Sequence, residues 1–550
     1  MTDNNELVMT GEEQTAEETG KLEPEFSPFV PKPLFNLEKG DTAFALCALA
    51  ASVFTSVFGL FGGFSLGYLL SGVLMMALFT AYFGKRASAG GFAVVSGLLA
   101  AANGAVFICT SNGSVRFFAV LISFLSALVF FDGLVNGKVK GNRQQLVVFL
   151  TAASTAANVE VSVKSLLAND NGEKKTVGKA LVGLICAFPV LVIVVPLLIS
   201  SDDAFRGMVN NLFSNTFSTL IKAFLGIILA LFVISYGFSL KKGRVSEIKE
   251  REFSGVEGVY AVSFLSAISG CYLLYLFSQL AYFFSAFSGV LPDGQITYAQ
   301  YARKGFFEMC VIAVINLVIV FAALLLTKKK EGKVCGGVRA LATFIAGFTL
   351  IIIATAISKM VLYIEAYGMT VLRITTSAFM LFLAVVFVSA ILRIYIAGVN
   401  IVKTALVTAG SIVLLLGVIN VNAVCARYNY ESYVSGRLEM MDVYALYSLG
   451  DEGIPYVVKL ADDEDPNISF EAKKYLADAY FYDYFEDMQD AEELTAEDLR
   501  KQRKDKGFAR FSLPKAKAYE SLYEYIEENP DFAAEYREPL YEQSEEYYWE

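Results

Sequence analysis

The chain has no histidine in 550 residues and a single tryptophan. The first absence removes imidazole metal ligands, histidine general bases, Ser-His-Asp triads and a phospho-accepting histidine together. Cysteine is sparse: Cys47, Cys109, Cys186, Cys271, Cys310, Cys335 and Cys425 contain no C-x-x-C pair. Most lie in apolar stretches, where an unpaired thiol acts as a small hydrophobe. Neither a disulfide framework nor a zinc site is expected. No nucleotide-binding motif is present, so no cofactor, metal or nucleic-acid partner is expected and an enzymatic role is disfavoured. No basic n-region with an apolar h-region opens the chain, so the span from Thr42 is expected to act as its own insertion signal.

Charge is missing over long stretches. From Thr42 to Gly84 there is no charged residue in 43 positions. A helix of that length would reach roughly 65 Å, about twice the hydrocarbon core, so the chain must cross, turn and cross back. Hydrophobic residues make up 55 % of the sequence and charged residues 18 %, which places it in the membrane class. The net charge of −10 averages three environments. Residues 1–41 carry ten acids and three bases, residues 42–421 carry 14 acids and 28 bases, and residues 422–550 carry 31 acids and 14 bases.

The expected fold class is all-α: a polytopic transmembrane bundle of about eleven spans with a small extracytoplasmic helical C-terminal domain. The spans are placed near 42–60, 63–83, 90–110, 115–135, 179–200, 219–240, 258–284, 305–327, 339–363, 373–396 and 402–421. Alternate connections hold 21 and seven bases. The positive-inside rule therefore puts the N-terminus in the cytoplasm and residues 422–550 outside a cell membrane. The stretch 145–168, which carries Glu160 and Lys164, is read as interfacial or amphipathic. Residues 1–40, acidic and interrupted by Pro24, Pro28, Pro31 and Pro33, read as a disordered cytoplasmic tail.

Beyond the last span the pattern is helical. Ile454-Pro455 opens one helix and Ser469 to Met488 forms another. Thr495 with Asp498 resembles a capping box, and Pro514 starts a helix that Asn529-Pro530 stops. Ala518, Tyr519, Leu522 and Ile526 mark the buried face of that helix. Its joint with the following residues resembles one unrepeated unit of a tetratricopeptide-type pair. The acidic run Asp462 to Asp465 lacks the glycine and terminal glutamate of a calcium loop and reads as a solvated turn.

Polar residues gather at one expected membrane face. In Asp293 to Cys310, DGQITYAQYARKGFFEMC, Tyr298, Tyr301, Gly305 and Glu308 follow one helical face. Lys304 stands a pairing distance before Glu308. SKMVLYIEAYGMTVLR brings Lys359, Glu365 and Arg373 to the same boundary, and Ser201-Asp202-Asp203 is there too. Asp202, Asp203, Tyr301, Arg303, Glu308, Lys359, Glu365 and Arg373 form a candidate outward-facing polar site. The competing reading is that they snorkel or pair between helices, because mid-span positions lack charge and the span at 305–327 offers only Asn316.

The strings TYAQYARKGFFEM, SKMVLYIEAYGMTVLR and SSDDAF resemble bacterial membrane proteins grouped as domain of unknown function 4173 and its relative 4153. RYNYESYVSGRLEMMDVYALYSLGDEGIPYV resembles the segment that follows their last span. The resemblance covers roughly 180–460 and implies an architecture without an activity. Two functions follow as expectations. One is a non-enzymatic sensor or platform whose outer domain binds an extracytoplasmic ligand or protein. The other is a transporter or channel using Asp202, Arg303, Glu308, Lys359 and Arg373.

Overall fold

The computed structural model describes residues 39–61, 65–84, 90–136, 216–242, 255–288, 306–328, 334–396, 398–438, 440–479 and 511–530, with a few isolated positions besides. Its regular elements are helices, with one isolated bridge between Val256 and Thr327. Ten described helices are long and apolar enough to cross a membrane. They are α1 (Lys39–Phe54, extended by a π-helical turn Thr55–Leu60), α2 (Leu66–Phe83), α3 (Gly91–Cys109), α4 (Gly113–Asn136) and α5 (Thr216–Lys242). The rest are α6 (Gly258–Ser288), α7 (Phe306–Leu326), α8 (Gly336–Tyr367), α9 (Val371–Tyr395) and α10 (Ile401–Ile419). The multi-pass all-α bundle is thus as expected, while the eleventh expected span, near 179–200, lies outside the described residues. So do Asp202, Asp203, Tyr301, Arg303, Lys304 and the stretches 1–38 and 145–158.

Contacts between helix ends fix the direction of each span. Lys241, near the end of α5, meets Asp41 at the start of α1 and the Tyr82 ring near the end of α2. Lys403 at the start of α10 lies 4.7 Å from the Phe92 ring at the start of α3. At the opposite end, Asn420 after α10 reaches Cys109 at the close of α3. The start of α1 and the end of α10 therefore lie at opposite ends of the bundle, called here the Lys39 end and the Ile419 end. α4 and α5 run parallel, with the Tyr236 hydroxyl 3.4 Å from the Leu128 carbonyl.

Two sub-bundles share α10. α1 to α5 pack through aromatic rings: Phe79 stacks on Phe131 at 4.2 Å and Phe44 on Tyr82 at 3.9 Å. Close approach relies on missing side chains, because a Cβ on Gly226 of α5 would strike the backbone of Val53 in α1. In α10, Gly410 and Gly417 admit Leu99 and Val106 of α3. Such small-residue contacts suit a bilayer, where helices associate by packing rather than by escape from water. α6 to α9 form an aliphatic core around Leu265, Ile345, Ile352, Met380, Leu383 and Phe387. Within it Asn316 is fully buried, accepts from Tyr272 at 2.5 Å and donates to Thr349 at 2.9 Å. That satisfies the side chain internally, as lipid surroundings demand.

α10 gives way to α11 (Val421–Val434) without a loop. Then follow α12 (Val443–Tyr447), a 3-10 turn at Gly450–Glu452, α13 (Ile454–Leu460), α14 (Pro466–Asp478) and α15 (Leu513–Glu528). These share one core, including Val443, Leu446, Val457, Leu460, Leu476, Leu522 and Ile526. Proline stands in the first turn of α13, α14 and α15, where its missing amide costs no hydrogen bond. Ala518, Tyr519, Leu522 and Ile526 are buried on one face of α15, as their spacing implies. The helix expected to run to Met488 is described only to Asp478, and Thr495 and Asp498 lie outside the described residues. In the acidic turn, Asp463 accepts from the Tyr433 hydroxyl at 2.9 Å, and Asp465 caps α14 through the Asn467 amide.

Candidate functional site

A helix end at a membrane boundary leaves carbonyls without intrahelical partners. At the Ile419 end those of α3 and its cap are met by side chains from the start of the next helix and from the distant Asn420. The Phe107 carbonyl lies 3.4 Å from Arg116 Nη2, and the Thr110 carbonyl accepts from Arg116 Nε at 2.7 Å. The Cys109 carbonyl accepts from Asn420 Nδ2 at 2.9 Å. Arg116 stands in the first turn of α4, so its side chain folds back across the Thr110–Asn112 turn.

Asn420 does double duty. It is the only described non-glycine residue with positive φ, at 59°, a conformation that asparagine tolerates better than most residues. Its backbone closes α10 while its Oδ1 faces the Ala423 amide that opens α11. Two residues on, Asn422 accepts from Asn112 Nδ2 at 2.7 Å and donates to the Leu449 carbonyl at 2.9 Å. Asn112 Oδ1 in turn accepts from the Val115 amide and caps α4.

Glu452 completes the junction. It ends the 3-10 turn and is 5 % exposed. Oε1 accepts from the Ser111 amide at 2.7 Å and Oε2 from the Ser111 hydroxyl. The Thr110 hydroxyl lies 3.2 Å from Glu452 Oε1 and 3.1 Å from Asn420 Oδ1, and its one proton serves one of them at a time. Arg116 is close enough for the charges of Glu452 and Asp451 to act on it. A buried carboxylate is tolerable when donors surround it and a cation is near. One carboxylate thus ties the α3–α4 turn to the helices beyond the last span.

A second tie lies beside it. Asn429 of α11 grips Met369 in the α8–α9 turn, accepting from its amide and donating to its carbonyl, each at 2.8 Å. Gly368 has φ +77°, and a Cβ there would meet Asn429 Oδ1 at 2.8 Å, so glycine is required on both counts. Cys425 lies wholly buried among Phe107, Val115, Ala119 and Val421, and burial pushes its thiol up to about 12 despite Arg373 nearby.

Of the candidate polar site, four residues are described. Arg373 donates to the Tyr367 carbonyl at 3.0 Å and to Gly368, and lies 4.0 Å over the Tyr363 ring. It closes α8 rather than leaving its guanidinium open. Glu308 and Glu365 are exposed. Lys359 is 7 % exposed within α8. The junction itself was missed: its only sequence signals are the turn-forming run Thr110 to Ser114, Asn420 with Asn422, and an acid between Gly450 and Gly453.

A family model described as "Domain of unknown function (DUF4153)" matches residues 92–460. The chain belongs to this family. The match begins at α3, well before residue 180, and ends with α13, so it contains every member of the junction. No curated protein and no solved structure matches the chain.

Proposed function

We propose that this DUF4153 protein is a non-enzymatic sensor or binding platform of the cell membrane. Its helices after Asn420 lie outside the cell, bind a polar ligand or a protein, and pass the event to α3, α4 and α10. The observation that carries this reading is Glu452, a buried carboxylate bridging two regions more than 330 residues apart in sequence. The orientation is supported by charge: Lys241, Lys328, Arg339, Arg393 and Lys403 lie at the Lys39 end, which becomes cytoplasmic under the positive-inside rule. The domain division at about residue 421 and the kinship to domain of unknown function 4173 belong to the same reading.

Two experiments test it. Ser435→Cys on intact cells should react with an impermeant thiol reagent and Lys328→Cys should not; the reverse labelling overturns the orientation. Full-length protein in nanodiscs, screened by thermal shift against polar solutes and peptides, should gain stability from a binder, and Glu452→Gln should change that response. Lys359 favours the second reading, a transporter, because a buried intramembrane cation is a functional candidate. Solute uptake by proteoliposomes that is abolished by Lys359→Met would replace the platform with a transporter.

A further inference from the structure

The helix α15 starts at the membrane boundary. The amide of Leu66, first residue of α2, donates to the Phe511 carbonyl at 3.4 Å. Ser512 is extended, with φ −140° and ψ 147°, so Phe511 and Leu513 project to the same side. Both are exposed, at 43 % and 48 %, while Ser512 and Pro514 between and beside them are buried. Apolar groups held at the height of a span's first residue face either water or the acyl boundary of the bilayer.

The charge pattern decides between them. Residues 500–517 hold eight bases and one acid, although 422–550 as a whole holds 14 bases and 31 acids. Lys515 stands in the first turn of α15, where the helix dipole disfavours cations, and Lys517 follows at the start of the second. Lys515 reaches the Tyr519 ring at 5.9 Å and Lys517 is exposed. An anion at the start of α15 would offset the unfavourable dipole there and complement both lysines. Aromatic and aliphatic groups beside lysines at a membrane boundary match an anionic lipid surface.

We infer that Phe511, Leu513, Lys515 and Lys517 dock the start of α15 onto anionic phospholipid headgroups at the Ile419 end of the bundle. The ring and the leucine sit at the acyl boundary and the ammonium groups meet lipid phosphates. This rests on the membrane placement of the bundle and is independent of the sensing role and of which end faces outward.

The test uses full-length protein carrying Trp549→Phe and Phe511→Trp in nanodiscs of phosphatidylcholine, with or without phosphatidylglycerol. Lipids brominated near the headgroup end of the acyl chain should quench the new tryptophan strongly, and more so with phosphatidylglycerol. Lys515→Glu with Lys517→Glu should erase the dependence on phosphatidylglycerol. Each lysine should account for about a fivefold change in lipid preference, the equivalent of about 1 kcal/mol. Leu513→Trp carries the same test if the first variant does not elute as a single species. Three results would overturn the inference. One is a tryptophan quenched by aqueous acrylamide and untouched by brominated lipid. Another is shielding from both quenchers, which would mean protein cover. The third is equal quenching in both lipids, which would remove the headgroup contact.

Discussion

The two ends of the bundle solve the same problem differently. At the Lys39 end one wholly buried carboxylate, Asp41, meets Lys241 at 3.4 Å and the Tyr82 hydroxyl at 2.8 Å. Lys241 also lies 3.8 Å over the Tyr82 ring. All three belong to spans, so the cluster closes the sub-bundle on itself. At the Ile419 end the carboxylate comes from beyond the spans, and its donors come from the turn between two of them. An ion cluster inside the bundle fixes helix positions, whereas the Glu452 junction ties the helices after Asn420 to the α3–α4 turn. Both ends bury a negative charge, but only one uses it to connect.

The largest effect is expected at the Lys39 end. Lys241→Ala removes the cation beside the buried Asp41 carboxylate and should cost about 3 kcal/mol. Asp41→Ala should cost less, about 1 kcal/mol, because Lys241 is 16 % exposed and its flexible stem can reach water. Chemical denaturation in mixed micelles measures both. Equal losses would mean that the charge of Asp41 is not what its burial strains against.

Next in size is Asn420. Asn420→Ala removes the bond to Cys109 and forces alanine into positive φ, at a cost of about 2 kcal/mol. Asn420→Gly relieves the backbone and loses only the side-chain bonds, so it should cost about half as much. The same denaturation measurement ranks them, and alanine outperforming glycine would contradict the observed backbone conformation.

The smallest effect is a titration beyond the spans. Burial, and then its bond to Asp463, push the Tyr433 phenol up to about 12 from its ordinary value of 10. The unfolded chain ionises first, so this group's contribution to stability is complete below about pH 10 and fades as the pH rises to about 12. Asp463→Asn should move the Tyr433 midpoint down. Difference titration of phenolate absorbance against Tyr433→Phe reads it, and an unmoved midpoint would show that the aspartate is not the partner.

These contrasts also mark what the sequence could disclose. Ten spans were legible because lipid makes hydropathy nearly decisive, and the post-span helices were legible from Pro455, Pro514 and the spacing of Ala518, Tyr519, Leu522 and Ile526. The junction was not legible because its parts, Thr110 to Arg116, Asn420 to Asn422 and Leu449 to Glu452, are individually ordinary turn chemistry. Only the fold brings them within hydrogen-bond reach. Arg373, drawn into the candidate site by its charge, also closes α8 through the Tyr367 and Gly368 carbonyls, a contact its sequence position does not announce. Lys359 looked like a boundary residue because sequence position cannot tell a snorkelling lysine from a buried one.

The central claim is that Glu452 couples the helices after Asn420 to the α3–α4 turn. Hydrogen exchange of the full-length protein in nanodiscs tests it, comparing Glu452→Ala with Glu452→Gln. The glutamine keeps an acceptor for the Ser111 amide; the alanine leaves that amide without its partner. Exchange should be faster in Glu452→Ala at residues 106–116 and at 443–460 together, with Glu452→Gln close to the parent protein. Faster exchange confined to 443–460, with the α3–α4 turn unchanged, would contradict it.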